Sequence, residues 1–278
     1  MRFTKMHGLG NDYVIVDAAA ERIEDPASLA HRLSDRHTGI GADGLILIHP
    51  SDHADVRMAM YNADGSRSEM CGNGLRCVVR YAVEHGQTSA PIVRVETDAG
   101  ILNAECRHDG RLGDCVRVDM GPPRLDPAAI PVDLAVDRVV DHPMTIGGRD
   151  YLVTCLSMGN PHAVVFLEDL DALALESVGP RFEHDPRFPR RINAHFVRVD
   201  SPNHMTMRSW ERGSGPTRAC GTGACAVCVA AVLTGRGQRN LTVTCPGGDL
   251  ELEWSKNDDH VHMTGPAVEV FQGDWLGP

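Results

Sequence analysis

Apolar and polar positions alternate along this chain in short runs, and two longer apolar runs interrupt them. Runs of strand type cover 12–17, 45–49, 56–61, 92–96 and 115–119, then 152–156, 163–167, 195–199, 205–210, 241–244 and 250–254. Their brevity and near two-residue period predict strands. The opening MRFTKMHGLGNDYVIVD reads as the first strand. The longer runs begin after Cys71 and after Cys220, and each predicts a helix. DPASLAHRLSDR (25–36) predicts an amphipathic helix, and DALALESVGPRFE (171–183) is its candidate counterpart. The Pro- and Asp-rich stretch 121–143 reads as a connection. A second Gly-Pro, at 265–266, follows the last strand, so the tail AVEVFQGDW corresponds to that connection and is expected to pack on the first half.

The pattern repeats. MCGNGLRCVVRYAVEHG (70–86) resembles ACGTGACAVCVAAVLTG (219–235), with 149 residues between Cys71 and Cys220. The same offset carries LGNDYVIV (9–16) onto MGNPHAVV (158–165), and so Asn11 onto Asn160. It carries YNADG (61–65) onto WERGS (210–214), and so Asn62 onto Glu211. It carries Gly44 onto Asn193. VETDAGIL (95–102) resembles VTCPGGDL (243–250) with the offset slipped by one. Chance similarity of Gly-rich turns does not give four collinear matches. The chain therefore divides into two homologous halves, 1–120 with 264–278 and 121–263, each a strand-rich unit around one central helix.

Composition narrows the function. A chain of 278 residues with net charge −11 carries no electrostatic footprint for nucleic acid or anionic lipid. No apolar run approaches the length of a membrane span, and the N-terminus lacks a signal-peptide pattern, so a cytoplasmic location is expected. Nine cysteines, an odd number in a long chain, argue against a disulfide framework. Cys225-x-x-Cys228 lies in an apolar run with no second CxxC, and the 14 histidines show no metal spacing. GIGADG (39–44) fits a dinucleotide fingerprint in letters only, because it leads into the strand LILI and not into a helix.

Chemistry concentrates at Cys71 and Cys220. A cysteine at a helix start meets unpaired N–H groups and the positive end of the macrodipole, which favour thiolate. Neighbouring glycines let an anion approach those N–H groups. Two such sites in two related halves suggest one substrate. With pseudo-two-fold symmetry, a carboxylate could bridge both helix ends and hold a Cα with a thiol on each face. One thiolate then removes the α-proton and the other thiol returns a proton, inverting the centre by general acid–base catalysis.

The stretches NADGSRSEMCGNGLRC, GNPHAVVF, SWERGSGPTRACGTGACA and KMHGLGNDYVIVD resemble the diaminopimelate epimerase family, in order and over essentially the whole chain. The resemblance implies an α+β fold of two homologous strand-rich domains, each a mixed sheet rolled around a central helix, related by pseudo-two-fold symmetry. It implies interconversion of LL- and meso-2,6-diaminopimelate with no cofactor and no metal, in lysine and peptidoglycan precursor biosynthesis. By the same resemblance Cys71 and Cys220 are the acid/base pair, Cys71 serving the LL isomer and Cys220 the meso isomer. The backbone of Gly72, Asn73, Gly221 and Thr222 holds the reacting carboxylate. Glu211, with the main chain around Arg212, holds the α-ammonium. Asn11, Asn62, Asn160, Asn193 and the Arg212 guanidinium bind the distal end. The expected partner is a small amino-acid substrate; a homodimer is compatible with the chain and not fixed by it.

Three departures from the family pattern stand out. Gly44 stands where some members carry Gln, Pro216 where many are acidic, and Ala194 and His195 where others are apolar and acidic. They bear on substrate recognition and not on reaction type. Rival readings are a racemase of another amino acid on the same fold, of histidine or proline type, and a dithiol redox sensor. A proline racemase-like enzyme would show His at the place of Asn73, and a phenazine-type isomerase would lack the cysteine pair.

Overall fold

The computed structural model describes residues 1–68 and 71–277, so Glu69 and Met70 of the Cys71 motif and Pro278 of the first half lie outside the described residues. The chain forms two compact units. One runs from Met1 to Val118 and resumes at Thr264; the other is Asp119–Met263.

The first unit contains β1 (Arg2–Gly8), β2 (Asn11–Asp17), α1 (Pro26–Ser34), β3 (Gly44–His49), β4 (Val56–Asn62), β5 (Arg67–Ser68), α2 (Gly72–Glu84), β6 (Val93–Thr97), β7 (Gly100–Asp109) and β8 (Gly113–Asp119). The chain continues through β9 (His142–Ile146), β10 (Arg149–Ser157), β11 (Pro161–Phe166), α3 (Leu175–Glu183), β12 (Asn193–Ser201), β13 (His204–Glu211), β14 (Gly215–Thr217), α4 (Gly221–Leu233), β15 (Asn240–Cys245), β16 (Gly248–Trp254) and β17 (Val261–Pro266). The last strand, β18 (Val268–Asp274), returns to the first unit.

Both units pair their strands alike. In the first, β18, β1 and β2 are antiparallel neighbours, β2 is parallel to β3, β3 antiparallel to β4, β4 parallel to β6, and β6 and β7 continue antiparallel. In the second, β9, β10 and β11 are antiparallel, β11 is parallel to β12, β12 antiparallel to β13, β13 parallel to β15, and β15 antiparallel to β16. Every parallel pair needs a crossover. The four described helices supply them: α1 and α3 join the first parallel pair of each unit, α2 and α4 the second.

The crossovers take opposite faces of each sheet. Leu45 and Leu47 of β3 pack with Leu29 and Leu33 of α1, while Ile46 faces Gly74 of α2. This explains why LILI is a continuous apolar run, since the strand is buried on both faces. Helix α2 touches β1, β2, β4, β6, β7 and β18, and α4 touches β10, β11, β12, β15 and β16. Strands so far apart in one sheet reach a single helix because the sheet curls around it. Helix α4 is apolar on all sides and buried from Gly221 to Ala231, as a central helix must be. Its CxxC cysteines are core side chains, and burial pushes the Cys228 thiol up to about 12.

Several elements depart from the sequence pattern. Strand β7 was not predicted, because most of its residues are exposed and no apolar face marks it. The helix expected at 25–36 spans Pro26–Ser34, started by Asp25, whose carboxylate accepts the Ser28 N–H at 3.1 Å, with Pro26 in the first turn. The helix expected at 171–183 begins only at Leu175. The Gly-Pro at 265–266 lies inside β17, and the tail forms a strand paired with β1. In this β18 does for β1 what β9 does for β10.

Candidate active site

Helices α2 and α4 begin at positions 149 residues apart, and both are preceded by a cysteine in extended conformation. Cys71 has φ −141° and ψ 118°; Cys220 has φ −120° and ψ 107°. The extended cysteine turns its side chain away from the helix axis while its carbonyl starts the helix, accepting from Leu75 N–H at 2.8 Å and from Ala224 N–H at 2.9 Å. Gly72, Asn73 and Gly74, and Gly221, Thr222 and Gly223, therefore present the first-turn N–H groups that can receive an anion.

In the first unit Asn11, Cys71 and Asn73 converge. Asn11 Oδ1 accepts from Asn73 Nδ2 at 3.1 Å and from the Tyr13 hydroxyl, and Asn11 Nδ2 donates to Asp43 at 2.6 Å. Tyr13 Oη lies 3.0 Å from Cys71 Sγ. The Arg76 guanidinium, fully buried, donates to Asn73 Oδ1 at 2.9 Å and to Gly72 O at 3.3 Å, bracing the first turn. Asn62 stands apart from this group. Its Nδ2 donates to Ser66 Oγ at 2.9 Å inside the turn that follows β4. Gly44 pairs with Asn62 across β3 and β4, and a Cβ on it would lie 2.5 Å from Tyr61 O.

In the second unit Glu211, Thr217, Cys220 and Thr222 converge. Thr217 Oγ1 donates to Glu211 at 2.5 Å, and Cys220 Sγ lies 3.7 Å from Thr222 Oγ1. Burial raises the Glu211 carboxyl, opposed by hydrogen bonds from Thr217 and the Cys220 thiol. Cys220 does not show the lowered thiol expected of a helix start. Burial pushes it well above the ordinary thiol value, and the Glu211 carboxylate adds to the shift. Thr222 and the Gly223 N–H pull the other way and lose. Burial and the nearby Glu211 carboxylate thus both favour the thiol form of Cys220. Asn193 braces the loop that carries Arg212: it accepts the Arg212 N–H at 2.9 Å and donates to Pro161 O at 2.8 Å. Glu183 holds the same loop, accepting from Gly213 N–H at 2.9 Å and from the Trp210 indole at 2.7 Å. The Arg212 guanidinium is exposed and donates to Arg190 O at 3.1 Å.

Asn160 begins a buried polar chain. Its Oδ1 is 2.8 Å from His162 Nε2, His162 Nδ1 is 2.9 Å from His195 Nε2, and His195 Nδ1 is 2.8 Å from Ser209 Oγ. An amide oxygen only accepts, so His162 donates through Nε2 and accepts at Nδ1. His195 then donates through Nε2 and accepts from the Ser209 hydroxyl. Both rings must be neutral for this order, and burial pushes His195 down to about 3 and His162 well below the usual histidine value.

Reading the sequence missed Tyr13, Asp43, Arg76, His162, Ser209 and Thr217. One signal was available: the 149-residue offset carries Tyr13 onto His162, and each lies two positions after its asparagine. Each donates to that asparagine's Oδ1.

A family model described as diaminopimelate epimerase matches residues 3–125 and 154–270. The diaminopimelate epimerase of Acetivibrio thermocellus is 53% identical over 274 residues, covering 99% of this chain and 98% of its own. That of Methanococcus maripaludis is 49% identical over 274 residues, covering 99% of each. Among solved structures, a phenazine biosynthesis protein of the PhzF family from Bacillus anthracis superposes with TM-score 0.73 at 17% identity over 99% of both chains. A probable proline racemase from Agrobacterium radiobacter superposes with TM-score 0.68 at 15% identity, over 100% of this chain and 93% of its own. These two likenesses speak to fold alone.

Proposed function

We propose how a chain that belongs to the diaminopimelate epimerase family carries out that family's reaction. The protein is an isomerase that interconverts LL- and meso-2,6-diaminopimelate, a step of lysine and peptidoglycan precursor biosynthesis. Relatives about half identical over the full chain carry that one name, so a racemase of another amino acid and a redox sensor are not favoured.

One observation carries the mechanism: two helix starts, matched in position, each place a thiol beside a Gly-x-Gly turn. In our reading Cys71 and Cys220 address opposite faces of the same Cα. The N–H groups of Gly72, Asn73, Gly221 and Thr222 take the α-carboxylate, and Glu211 with the Arg212 main chain takes the α-ammonium. Asn11, Asn62, Asn160 and the Arg212 guanidinium take the distal amino-acid end, with Asn193 acting chiefly as the brace of the Arg212 loop. A thiolate removes the α-proton, and the developing negative charge spreads into a carboxylate held on helix N–H groups. The opposite thiol then delivers its proton to Cα. One S–H bond forms and one breaks, so the proton balance closes on the two cysteines, which exchange protonation states. Burial and, after it, the Glu211 carboxylate raise the Cys220 thiol; an ammonium bound at Glu211 would offset the second of these, which favours proton loss from that thiol in the reverse direction.

The same reading includes a cytoplasmic location, supported by an odd count of nine cysteines in a long chain. No helix among the described residues is long and apolar enough to cross a membrane. It also includes a homodimer, supported by Val268, Val270 and Phe271 exposed on β18; a monomer at working concentration in sedimentation would remove that part.

The test is incubation with LL-diaminopimelate in D₂O without added cofactor, following deuterium at Cα and the isomer ratio. Deuterium entry with approach to a mixed ratio is expected, and Cys71→Ala or Cys220→Ala should abolish it. Full activity in either variant would overturn the two-thiol mechanism. No exchange in the wild type would overturn the substrate.

A further inference from the structure

We propose that Tyr13 is a positioning residue for Cys71, its hydroxyl donating to the sulfur when Cys71 is a thiolate and turning to Asn11 Oδ1 when Cys71 is a thiol. This deepens the reading above and rests on Cys71 being one of the two proton-transfer groups.

The geometry gives one hydroxyl hydrogen two acceptors. Tyr13 Oη is 3.0 Å from Cys71 Sγ and also bonds Asn11 Oδ1. With Cys71 protonated, its S–H has the phenol oxygen at 3.0 Å and, farther off, Asn11 Oδ1 at 4.0 Å as acceptors, and the phenol donates to the amide oxygen. With Cys71 ionised, sulfur and amide oxygen compete for the same hydrogen, and the charged acceptor makes the stronger bond. Asn11 Oδ1 keeps the Asn73 amide donor at 3.1 Å, so releasing the Tyr13 hydrogen leaves no orphaned oxygen. The ring is fully buried and cannot turn to water. Burial also raises the phenol well above its usual value, with the Cys71 charge adding to the shift, so Tyr13 remains a donor throughout the range in which a thiol titrates.

The second unit shows what is particular to the first. His162, at the position equivalent to Tyr13, donates to Asn160 but continues to His195. Cys220 meets the acceptor Glu211 instead. A donor beside Cys71 favours thiolate, and a carboxylate beside Cys220 favours thiol. The two homologous sites are therefore unlike, a donor standing beside one thiol and a carboxylate beside the other.

The test reads the thiol directly and needs no substrate. Peptide-resolved alkylation of Cys71 is followed against pH in the wild type and in Tyr13→Phe. Asp43 and Cys77 are the other titratable groups acting on Tyr13, and Arg76 braces the helix start; none of them changes in the variant. Loss of the donor should move the Cys71 midpoint to higher pH and slow alkylation at fixed pH by roughly tenfold or more. It should lower kcat/KM by the same factor in both directions, because the equilibrium between isomers belongs to the substrates. A midpoint equal to that of the wild type overturns the proposal. Asn11→Leu supplies a second arm, decisive even where Tyr13→Phe folds poorly. It removes the competing acceptor, so the midpoint should fall; an unchanged or raised midpoint overturns the proposal. Failure of the wild type to exchange deuterium would instead count against the reaction, and the alkylation result would stand apart from it.

Discussion

His195 lies directly against Gly223, the third residue of helix α4. A Cβ on Gly223 would sit 2.7 Å from His195 Nε2 and 2.8 Å from Nδ1. Both nitrogens are engaged, with His162 at 2.9 Å and Ser209 at 2.8 Å, so the ring cannot step aside. The equivalent pair in the first unit is Gly74 with Ile46, where the obstacle is the far end of a flexible side chain, Cδ1, at 2.8 Å. Gly223→Ala should therefore cost about 1–3 kcal/mol of stability by overpacking and displace the first turn beside Cys220. Gly74→Ala should cost less. Thermal unfolding and turnover of the two variants check this; equal or reversed losses would contradict it.

Replacing His195 removes the middle of the buried chain. In His195→Leu, His162 Nδ1 and the Ser209 hydroxyl lose their partners, at about 1–3 kcal/mol. The pH dependence carries a sign. His195 is held near 3 in the folded protein, against the ordinary histidine value of 6.5 that applies when the chain is unfolded. Between those values the unfolded chain binds more protons, so stability rises with pH. The His195 contribution is present above about 6.5 and is lost as pH falls toward 3. The wild type should show that slope in denaturant unfolding, and His195→Leu should show a shallower one about a lower plateau. A slope unchanged by the substitution would assign it to other groups.

The elements around the two cysteines were legible because they repeat. A Cys-Gly-x-Gly start, an apolar helix and a closing glycine recur at one offset. The backbone shows why the closing residue is glycine: Gly86 and Gly235 both have φ +70°, a left-handed helix end. Strand β7 was illegible because its mostly exposed side chains leave no apolar period to read. The fold class came through a resemblance carried by long motifs. The polar chain behind Asn160 did not come through at all. A histidine in the apolar strands NPHAVV and NAHFV looks like an ordinary core residue, and only the parallel pairing of β11 with β12 brings His162 and His195 together. Periodicity assigns a residue to a face; it does not say which polar atoms meet there.

Glu211 and Cys220 form an opposed pair. The carboxylate raises the thiol, second only to burial, while the thiol's hydrogen bond steadies the carboxylate. Glu211→Gln should consequently do two things that do not usually go together. Turnover should fall steeply, because the α-ammonium loses its counter-charge. Alkylation of Cys220 should move to lower pH, because the neighbouring negative charge is gone. Fragmentation of the labelled peptide 219–236 separates Cys220 from Cys225 and Cys228, which lie in it too. A Cys220 midpoint that rises or stays in place would mean that Glu211 does not govern the thiol.

Gly44 is the departure from the family pattern that the backbone explains most directly. It opens β3 and pairs with Asn62 at the end of β4, where the Tyr61 carbonyl oxygen comes within 2.5 Å of the place a Cβ would take. That oxygen belongs to backbone held in the sheet and cannot swing away as a side chain could. A glutamine here would meet the obstacle at its first carbon, before its amide could reach any ligand. Gly44→Gln should therefore lower the unfolding temperature and raise KM for diaminopimelate, and Gly44→Ala should lose nearly as much stability, about 1–3 kcal/mol. The comparison of the two variants is the informative measurement. Similar losses would place the cost at Cβ and in the β3–β4 pairing. A Gln variant that keeps its stability and binds substrate more tightly would show that this strand pair opens enough to admit the side chain, and that the glycine is not required by the fold.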